Sequence, residues 1–564
     1  MTKKSSLHLL LLLVALIIAL TFRLIRLGQI PLNNQEANIA LQALAIAQGN
    51  QTSFDSHIAY VGLTGLDFFV FNSGNFMARF WPALFGALIV FFPFLFRDWI
   101  GRWPASLLSL LLAFSPDMVG LSRVIGSPMI AFVCLLLGLG FLLKRKPILS
   151  GLFLALSLMS GRSFWVGSLV LGISFVISER LFGVSDVLDI VLINVKRRFW
   201  LNWGITFFVT LLLVGTGFFM VPAGLSGILA GLISFFEGFK ETYLKPYILL
   251  PLTLFTYTAP TLILGIWGGL RGLVLRNKLD RFLSLWVITG LIFIMVYPGS
   301  LPADLIWVTL PLWILAVRLF VTYLRFPDMS RFVFILTVIV VIVISAFMIL
   351  TLRSMISSAG QADQQINYLI AVIGGGVLLL AFILLVSFGW TRTVALPGFL
   401  IGLTIVICAG LISVSVKSSG LNPERTYEWW YPDQSHTSPE WLSVSIDRII
   451  DWNASGGTPV DIAVVDYDLP SIRWILRDYD PVHFVPYLPP QSQVGLLITD
   501  VAYVPEITES YRGQDLVWSQ KALWETLTPF QYLKWLVTRQ IATTQNQIIL
   551  WVRTDLMPDA QFSN

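Results

Sequence analysis

The chain has 564 residues, of which 56% are hydrophobic and 12% charged, whereas a soluble domain carries about 25% charged residues. That deficit, with a mean hydropathy of +0.78, excludes an ordinary water-soluble protein. The net charge of +5 does not indicate a nucleic-acid partner, because the basic residues lie in short loops beside apolar segments, where they set membrane topology.

The N-terminal stretch 1–27 joins a basic tip, Lys3 and Lys4, to a long leucine-rich run. No small-residue cleavage site follows it, and Arg23 and Arg26 precede the first loop, so it reads as an uncleaved first span, 7–27. Apolar stretches then recur at 76–96, 103–121, 127–143, 147–160, 163–178, 199–221, 247–270, 282–297, 303–323, 331–352, 366–388 and 393–415. The expectation is an α-helical polytopic membrane protein with about thirteen transmembrane helices, each crossing a hydrocarbon core of about 30 Å. Gly161 and Arg162 interrupt the stretch 147–178. One kinked span and a tight hairpin both fit there, and length favours the hairpin. The two cysteines, Cys134 and Cys408, fall inside apolar segments and provide no disulfide or metal framework.

Two inter-span segments are longer than the rest. Residues 28–75 carry the helical pattern Ala37, Ile39, Ala40, Leu41, Leu44, Ala45, and residues 222–245 carry Leu225, Ile228, Leu229, Leu232, Ile233, Phe235, Phe236. Both read as helices lying at the outer membrane surface. With the N-terminus in the cytoplasm, the inner loops hold Lys3/Lys4, Arg97/Arg102, Lys144/Arg145/Lys146, Lys196/Arg197/Arg198, Arg271/Arg276/Lys278/Arg281, Arg325/Arg331 and Arg392. The alternate loops hold only Arg79, Arg123, Arg162, Lys240, Lys245 and Arg353, with Arg23 and Arg26 as exceptions. The positive-inside rule therefore supports an inner N-terminus.

Residues 1–416 thus form the transmembrane domain and 417–564 a domain outside the cytoplasm. This tail contains short β-type runs at 460–465, 483–485, 495–498 and 547–552, with helix-like stretches at 439–452 and 470–479 between them. Alternating helices and buried-type strands predict a small α/β domain. It contains no Gly-rich phosphate loop and no Ser/His/Asp or zinc-spacing set.

Several runs carry a family resemblance: Ile30-Pro31-Leu32-Asn33-Asn34-Gln35-Glu36-Ala37, Ala78-Arg79-Phe80-Trp81-Pro82-Ala83-Leu84-Phe85-Gly86, Ser115-Pro116-Asp117 to Ser122-Arg123, and Trp474-Ile475-Leu476-Arg477-Asp478-Tyr479. Together with their order along the chain, they resemble the GT-C superfamily of membrane glycosyltransferases, which includes protein O-mannosyltransferases, aminoarabinose transferases and the oligosaccharyltransferase catalytic subunit. The resemblance implies a GT-C-like fold and a polyprenyl-phosphate-linked sugar as donor at the outer membrane face, transferred to a lipid, polysaccharide or protein hydroxyl. Family members carry an Asp-Glu pair at the start of the first outer helix, whose Asp is the implied base; here the pair reads Gln35-Glu36, and an amide takes up no proton at neutral pH. Of the family's Ser-Arg-basic-acidic signature, only Ser122-Arg123 survives. Because fold and activity are separable, a non-catalytic lipid-sugar binding or translocation protein on the same scaffold stands as the alternative. An ion-coupled transporter fits less well, since charges are scarce within the spans.

Glu36 and Asp117 are the candidate catalytic carboxylates. Glu36 lies where donor would meet acceptor, as a general base must, but Asn33 followed by Glu36 also reads as a capping box. Asp117 could contact donor or acceptor, or pair with Arg123. Gln35, Arg79, Arg123, Arg162 and Lys245 are the candidate substrate-binding residues, the cations for a lipid-linked phosphate; snorkelling to membrane lipids explains them as well. Asp55 and His57 could supply two ligands to a divalent metal, with Asp67 later in the same loop, but two residues do not make a site, and no cofactor is assigned.

Overall fold

In lipid a backbone N–H or C=O has no partner except within its own segment, so the apolar stretches fold as helices and each break must be repaired by side chains. The computed structural model describes residues 3–50, 56–183, 197–241, 249–324, 331–358, 362–389, 392–418, 427–429, 433–435, 438–454, 460–503 and 508–557. Among them, nine helices are long and apolar enough to cross a membrane, or ten if Arg102–Ala113 and Pro116–Ser122, bent by 52°, count as one broken span. The protein is a multi-pass membrane protein. The stretches expected at 127–143, 147–160 and 247–270 are helical but less simple. Met129–Leu143 and Pro147–Leu158 have 15 and 12 residues, short of the roughly 20 of a straight crossing, and Leu249–Val274 is kinked at non-helical Thr258. Pro147–Leu158 and Arg162–Phe182 are separate helices. Gly161 between them has φ +79 and lies so close to Ser56 that a Cβ would sit 2.7 Å from the Ser56 carbonyl oxygen.

Helix α1 (Lys3–Leu24) ends next to the broken span, and two arginines cap the ends reciprocally. Arg23 is buried and donates to the carbonyls of Ala113 (2.8 Å) and Leu112 (3.3 Å) at the break, while Ser415 donates to the carbonyl of Phe114. Arg123 in turn donates to the carbonyls of Phe22, Arg23, Ile25 and Arg26 at 2.9–3.2 Å, the end of α1. These carbonyls are the orphan acceptors every helix C-terminus leaves. The exceptional Arg23 therefore serves a helix break rather than topology. Gly86 lets the two motif-bearing elements touch: a Cβ there would meet Ser122 Cβ at 2.3 Å.

After α1, the chain forms α2 (Asn34–Ala47), α3 (Ile58–Phe71) and α4 (Asn75–Leu88). Buried residues of all three share one apolar cluster that also holds Trp474 of the C-terminal domain. The segment read as a surface helix in 222–245 is the helix Ser226–Glu237. Helices Arg331–Ser357 and Ala362–Gly389 leave large apolar side chains such as Ile339, Val343, Leu378 and Leu385 exposed, as lipid-facing surfaces do.

The C-terminal domain is built on a six-stranded sheet ordered β1-β5-β6-β4-β2-β3, with β1 Asp433–Ser435, β2 Ile462–Val465, β3 Val482–Val485, β4 Leu496–Asp500, β5 Tyr511–Ala522 and β6 Thr543–Arg553. β2 runs parallel to β3 and β4, and the remaining pairs are antiparallel. The expected strands correspond to β2, β3, β4 and β6. β5 was not expected, because only its second half alternates, with Leu516, Trp518, Gln520 and Ala522 buried. The helix-like stretches form as Ser438–Ala454 and as Pro470–Ile475 continued by a 3-10 turn. The domain rests on the α2 end of the bundle. Asn34 Oδ1 accepts from Ser471 Oγ (2.6 Å), Asn75 Oδ1 accepts from Trp474 Nε1 (2.8 Å), and Arg477 donates to the Ser73 carbonyl (3.1 Å).

Candidate functional site

The start of α2 is where the sequence placed the chemistry. Asn33 accepts from the Glu36 backbone N–H (2.9 Å) and Glu36 Oε2 accepts from the Asn33 N–H (3.3 Å), a complete capping box. Glu36 Oε1 also accepts from Arg79 Nε (3.0 Å) and the Ile125 N–H (3.1 Å), and Oε2 from Arg79 Nη2 (2.5 Å). A carboxylate offers about four lone-pair positions, and all are occupied on a residue only 1% exposed. The geometry therefore matches the capping reading of Glu36; to act as a base it would have to give up one of these bonds.

Arg79 is equally committed. Besides Glu36 it donates to the carbonyls of Ile30, Pro31 (3.1 Å) and Leu27 (3.5 Å), which engages the five donors of a guanidinium. Arg79 and Arg123, both expected to hold a donor phosphate, are thus buried clamps on the backbone that precedes α2. The physical reason is that the end of α1 leaves carbonyls without backbone donors and that Pro31 carries no N–H.

Asp117 is buried and accepts from Ser115 Oγ. Its other oxygen has no hydrogen bond among the described residues and borders a cavity also lined by Thr253, Tyr257, Thr258 and Thr309. That cavity has about 20 Å³ of space for solvent, enough for about one water, against at least about 300 Å³ for a ligand pocket. Among the described residues, the cavity beside Asp117 is too small for a sugar, and the hydrogen bonds of Arg123 go to the end of α1.

Near the start of α2, Gln35 is exposed on its first turn. A Cβ on Gly126 would lie 2.8 Å from Ile39 on α2 and 3.9 Å from His57 Nε2, and Gly161 packs on Ser56. Gly126 thus lies between His57 and Ile39 of α2, and the helix that begins at Arg162 follows the glycine that packs on Ser56. Arg162 pairs with Glu241 (3.2 Å) and keeps 19% of its side-chain surface exposed. Asp67 on α3 is half-buried beside Trp81. Lys245 and Asp55 lie outside the described residues. Among the described residues, no three of His, Cys, Asp and Glu come together as metal ligands.

Sequence reasoning missed a second buried polar cluster, where the C-terminal domain meets the bundle. Tyr257, next to the kink, donates to Glu428, which also faces Arg539 at 3.6 Å. Glu428 and Arg539 are 0% and 2% exposed. Trp429, Trp524 and Trp535 stack around the pair, with Trp429 and Trp524 centroids 4.1 Å apart. Tyr257 and Arg539 stand 171 and 111 positions from Glu428, so no local pattern joins them to it.

The helical bundle, its kinked helix and the end-docked α/β domain make up a GT-C-like fold. Among solved structures, the chain is similar to ArnT from Cupriavidus metallidurans bound to undecaprenyl phosphate, at 13% identity and TM-score 0.51, over 99% of this chain and 100% of that one. The same protein in the apo state matches at 14% identity and TM-score 0.45, over 99% and 100% of the two chains. Archaeal oligosaccharyltransferase AglB from Archaeoglobus fulgidus, in complex with an inhibitory peptide and a dolichol-phosphate, matches at 12% and 0.44, over 89% and 70%. No protein-family model and no curated protein sequence matches the chain.

Proposed function

We propose that the protein binds a polyprenyl-phosphate-linked sugar at the α2 end of the bundle and, in its natural form, retains that ligand without transferring it. One observation carries this reading: the exposed position on the first turn of α2 is Gln35, and the adjacent Glu36 has every acceptor position occupied inside the protein. Retention rests on cationic and hydrogen-bond contacts rather than on a base. Arg162 is the phosphate contact in this reading, because it keeps part of its side chain exposed at the start of the helix whose preceding Gly161 packs on Ser56. The fold shared with a transferase solved with undecaprenyl phosphate supports the ligand class and favours glycosyl transfer as the second reading.

The deciding assay presents purified protein with a polyprenyl-phosphate sugar and measures bound ligand and turnover separately. The expected result is binding that weakens about tenfold in Arg162→Ala, one lost charge-assisted contact of about 1.4 kcal/mol, with no turnover. Gln35→Asp restores the family's acidic pair and is expected to gain transfer. Robust transfer by the unmodified chain would establish the second reading instead.

The proposed orientation puts the N-terminus in the cytoplasm and the α/β domain outside. His8 bonds Ser106, Lys144 bonds Asp98, and Arg318 reaches the Trp99 carbonyl, so the basic clusters gather at the end opposite α2. Fusion reporters placed after Arg392 and at the C-terminus should report opposite sides of the membrane; agreement between them would reject this topology.

A further inference from the structure

At the end opposite α2, a cavity of about 550 Å³ opens between Leu249–Val274, Lys278–Val296 and Ile306–Tyr323, beside Ile100 and Pro104. Its volume falls in the range of about 300–1,000 Å³ typical of small-molecule sites, unlike the single-water space at Asp117. Two guanidinium groups, Arg271 and Arg318, and one carboxylate, Asp280, line it, so its formal charge is +2 −1 = +1.

Both arginines are held in place while keeping donors available. Arg318 gives Nε to Asp280 (2.7 Å) and Nη1 to the carbonyls of Trp99 (3.0 Å) and Ile100 (2.9 Å). Among the described residues its Nη2 has no hydrogen-bond partner. Arg271 gives Nη1 to Thr322 Oγ1 (2.7 Å) and lies 5.3 Å over the Tyr323 ring; among the described residues its Nε and Nη2 have no hydrogen-bond partner. A guanidinium with spare N–H groups matches the oxygens of a phosphate bidentately. The rest of the wall includes the apolar Leu275, Leu315, Leu319 and Val321 beside Asn277 and Thr322. Cations beside an apolar wall at the end of a helical bundle suit an amphiphile, with its headgroup on the arginines and its chain along the leucines.

We propose that this cavity binds the phosphate headgroup of an anionic membrane lipid from the leaflet opposite α2, a site separate from the sugar-lipid face and independent of the reading given for it. Inorganic phosphate shares the anion chemistry but has no use for the apolar wall.

The test uses the full chain, stripped of lipid in neutral detergent and offered equimolar phosphatidylglycerol and phosphatidylcholine, with bound lipid read by native mass spectrometry. Phosphatidylglycerol should be retained preferentially, and Arg271→Gln should reduce its retention about tenfold, the loss of about 1.4 kcal/mol of charge-assisted contact. Leu275→Glu changes a residue that is 64% exposed, so folding is spared while a negative charge enters the wall; it should reduce retention comparably. A parallel arm offers inorganic phosphate alone, expected to displace lipid only weakly. Equal retention of both lipids, retention unaffected by both variants, or tight binding of free phosphate with no lipid held would overturn the proposal.

Discussion

Glu36→Gln is expected to destabilise the folded transmembrane domain by about 3–5 kcal/mol, the cost of removing one partner from a buried ion pair. Arg79 stays charged whatever its surroundings, since a guanidinium does not deprotonate in proteins, and it is only 2% exposed. The substituted amide can accept from one Arg79 nitrogen, but its NH2 would then oppose donors from Arg79, Ile125 or Asn33, which now converge on the carboxylate. Thermal unfolding of detergent-purified protein, followed by tryptophan fluorescence, measures the loss. Arg79→Met should cost at least as much, because it leaves the buried Glu36 without its counter-charge and also removes the donors to the Leu27, Ile30 and Pro31 carbonyls. If Glu36 were instead a general base, Glu36→Gln would melt like the parent and lose about 10² to 10⁴ in turnover, and the capping assignment would fall.

The second large effect is expected at the junction of bundle and α/β domain. Arg539→Met leaves Glu428, 0% exposed, without its counter-charge, and removes a guanidinium that lies 4.7 Å over Trp535 and 5.4 Å over Tyr257. A cost of about 3–5 kcal/mol is enough to loosen the helix Pro529–Thr538 from the kinked helix it covers. Hydrogen exchange should report lost protection in peptides containing Trp535 while the bundle core around Trp307 stays protected. Protection lost equally everywhere would instead mark a global folding defect. Burial holds the Glu428 carboxyl above its ordinary value of 4.5, with Arg539 and the Tyr257 hydroxyl pulling the other way. A raised acid favours the protonated, docked form, so its contribution is complete below the unfolded value and declines as pH rises through the folded one. Without Arg539 the downward pull is weaker. The variant should therefore regain protection on acidification, starting from a higher pH than the parent.

Apolar length and charge spacing alone were enough to identify the membrane class, the presence of helices within 28–75 and 222–245, and the α/β character of the tail, because those properties follow from local periodicity and from what lipid tolerates. The capping alternative at Glu36 was also legible, since Asn33 and Glu36 stand three residues apart in a box that forms within one turn. Local pattern could not supply the partners. Arg79 and Glu36 are 43 residues apart, Arg123 and the end of α1 about 100, and Glu428 and Tyr257 171. Whether a cation near a span end snorkels to lipid, holds a ligand or caps a carbonyl depends on which broken helix end lies beside it, and only the packing of α1 against the bent span assigned Arg23 and Arg123 to each other's helices. Likewise β5 escaped notice because half of it is polar on both faces, and its place in the sheet came from pairing with β6. The sequence by itself determined which segments must leave water. The tertiary structure decided which polar groups remain available for chemistry, because a buried donor or acceptor must first be satisfied by whatever the fold brings within reach.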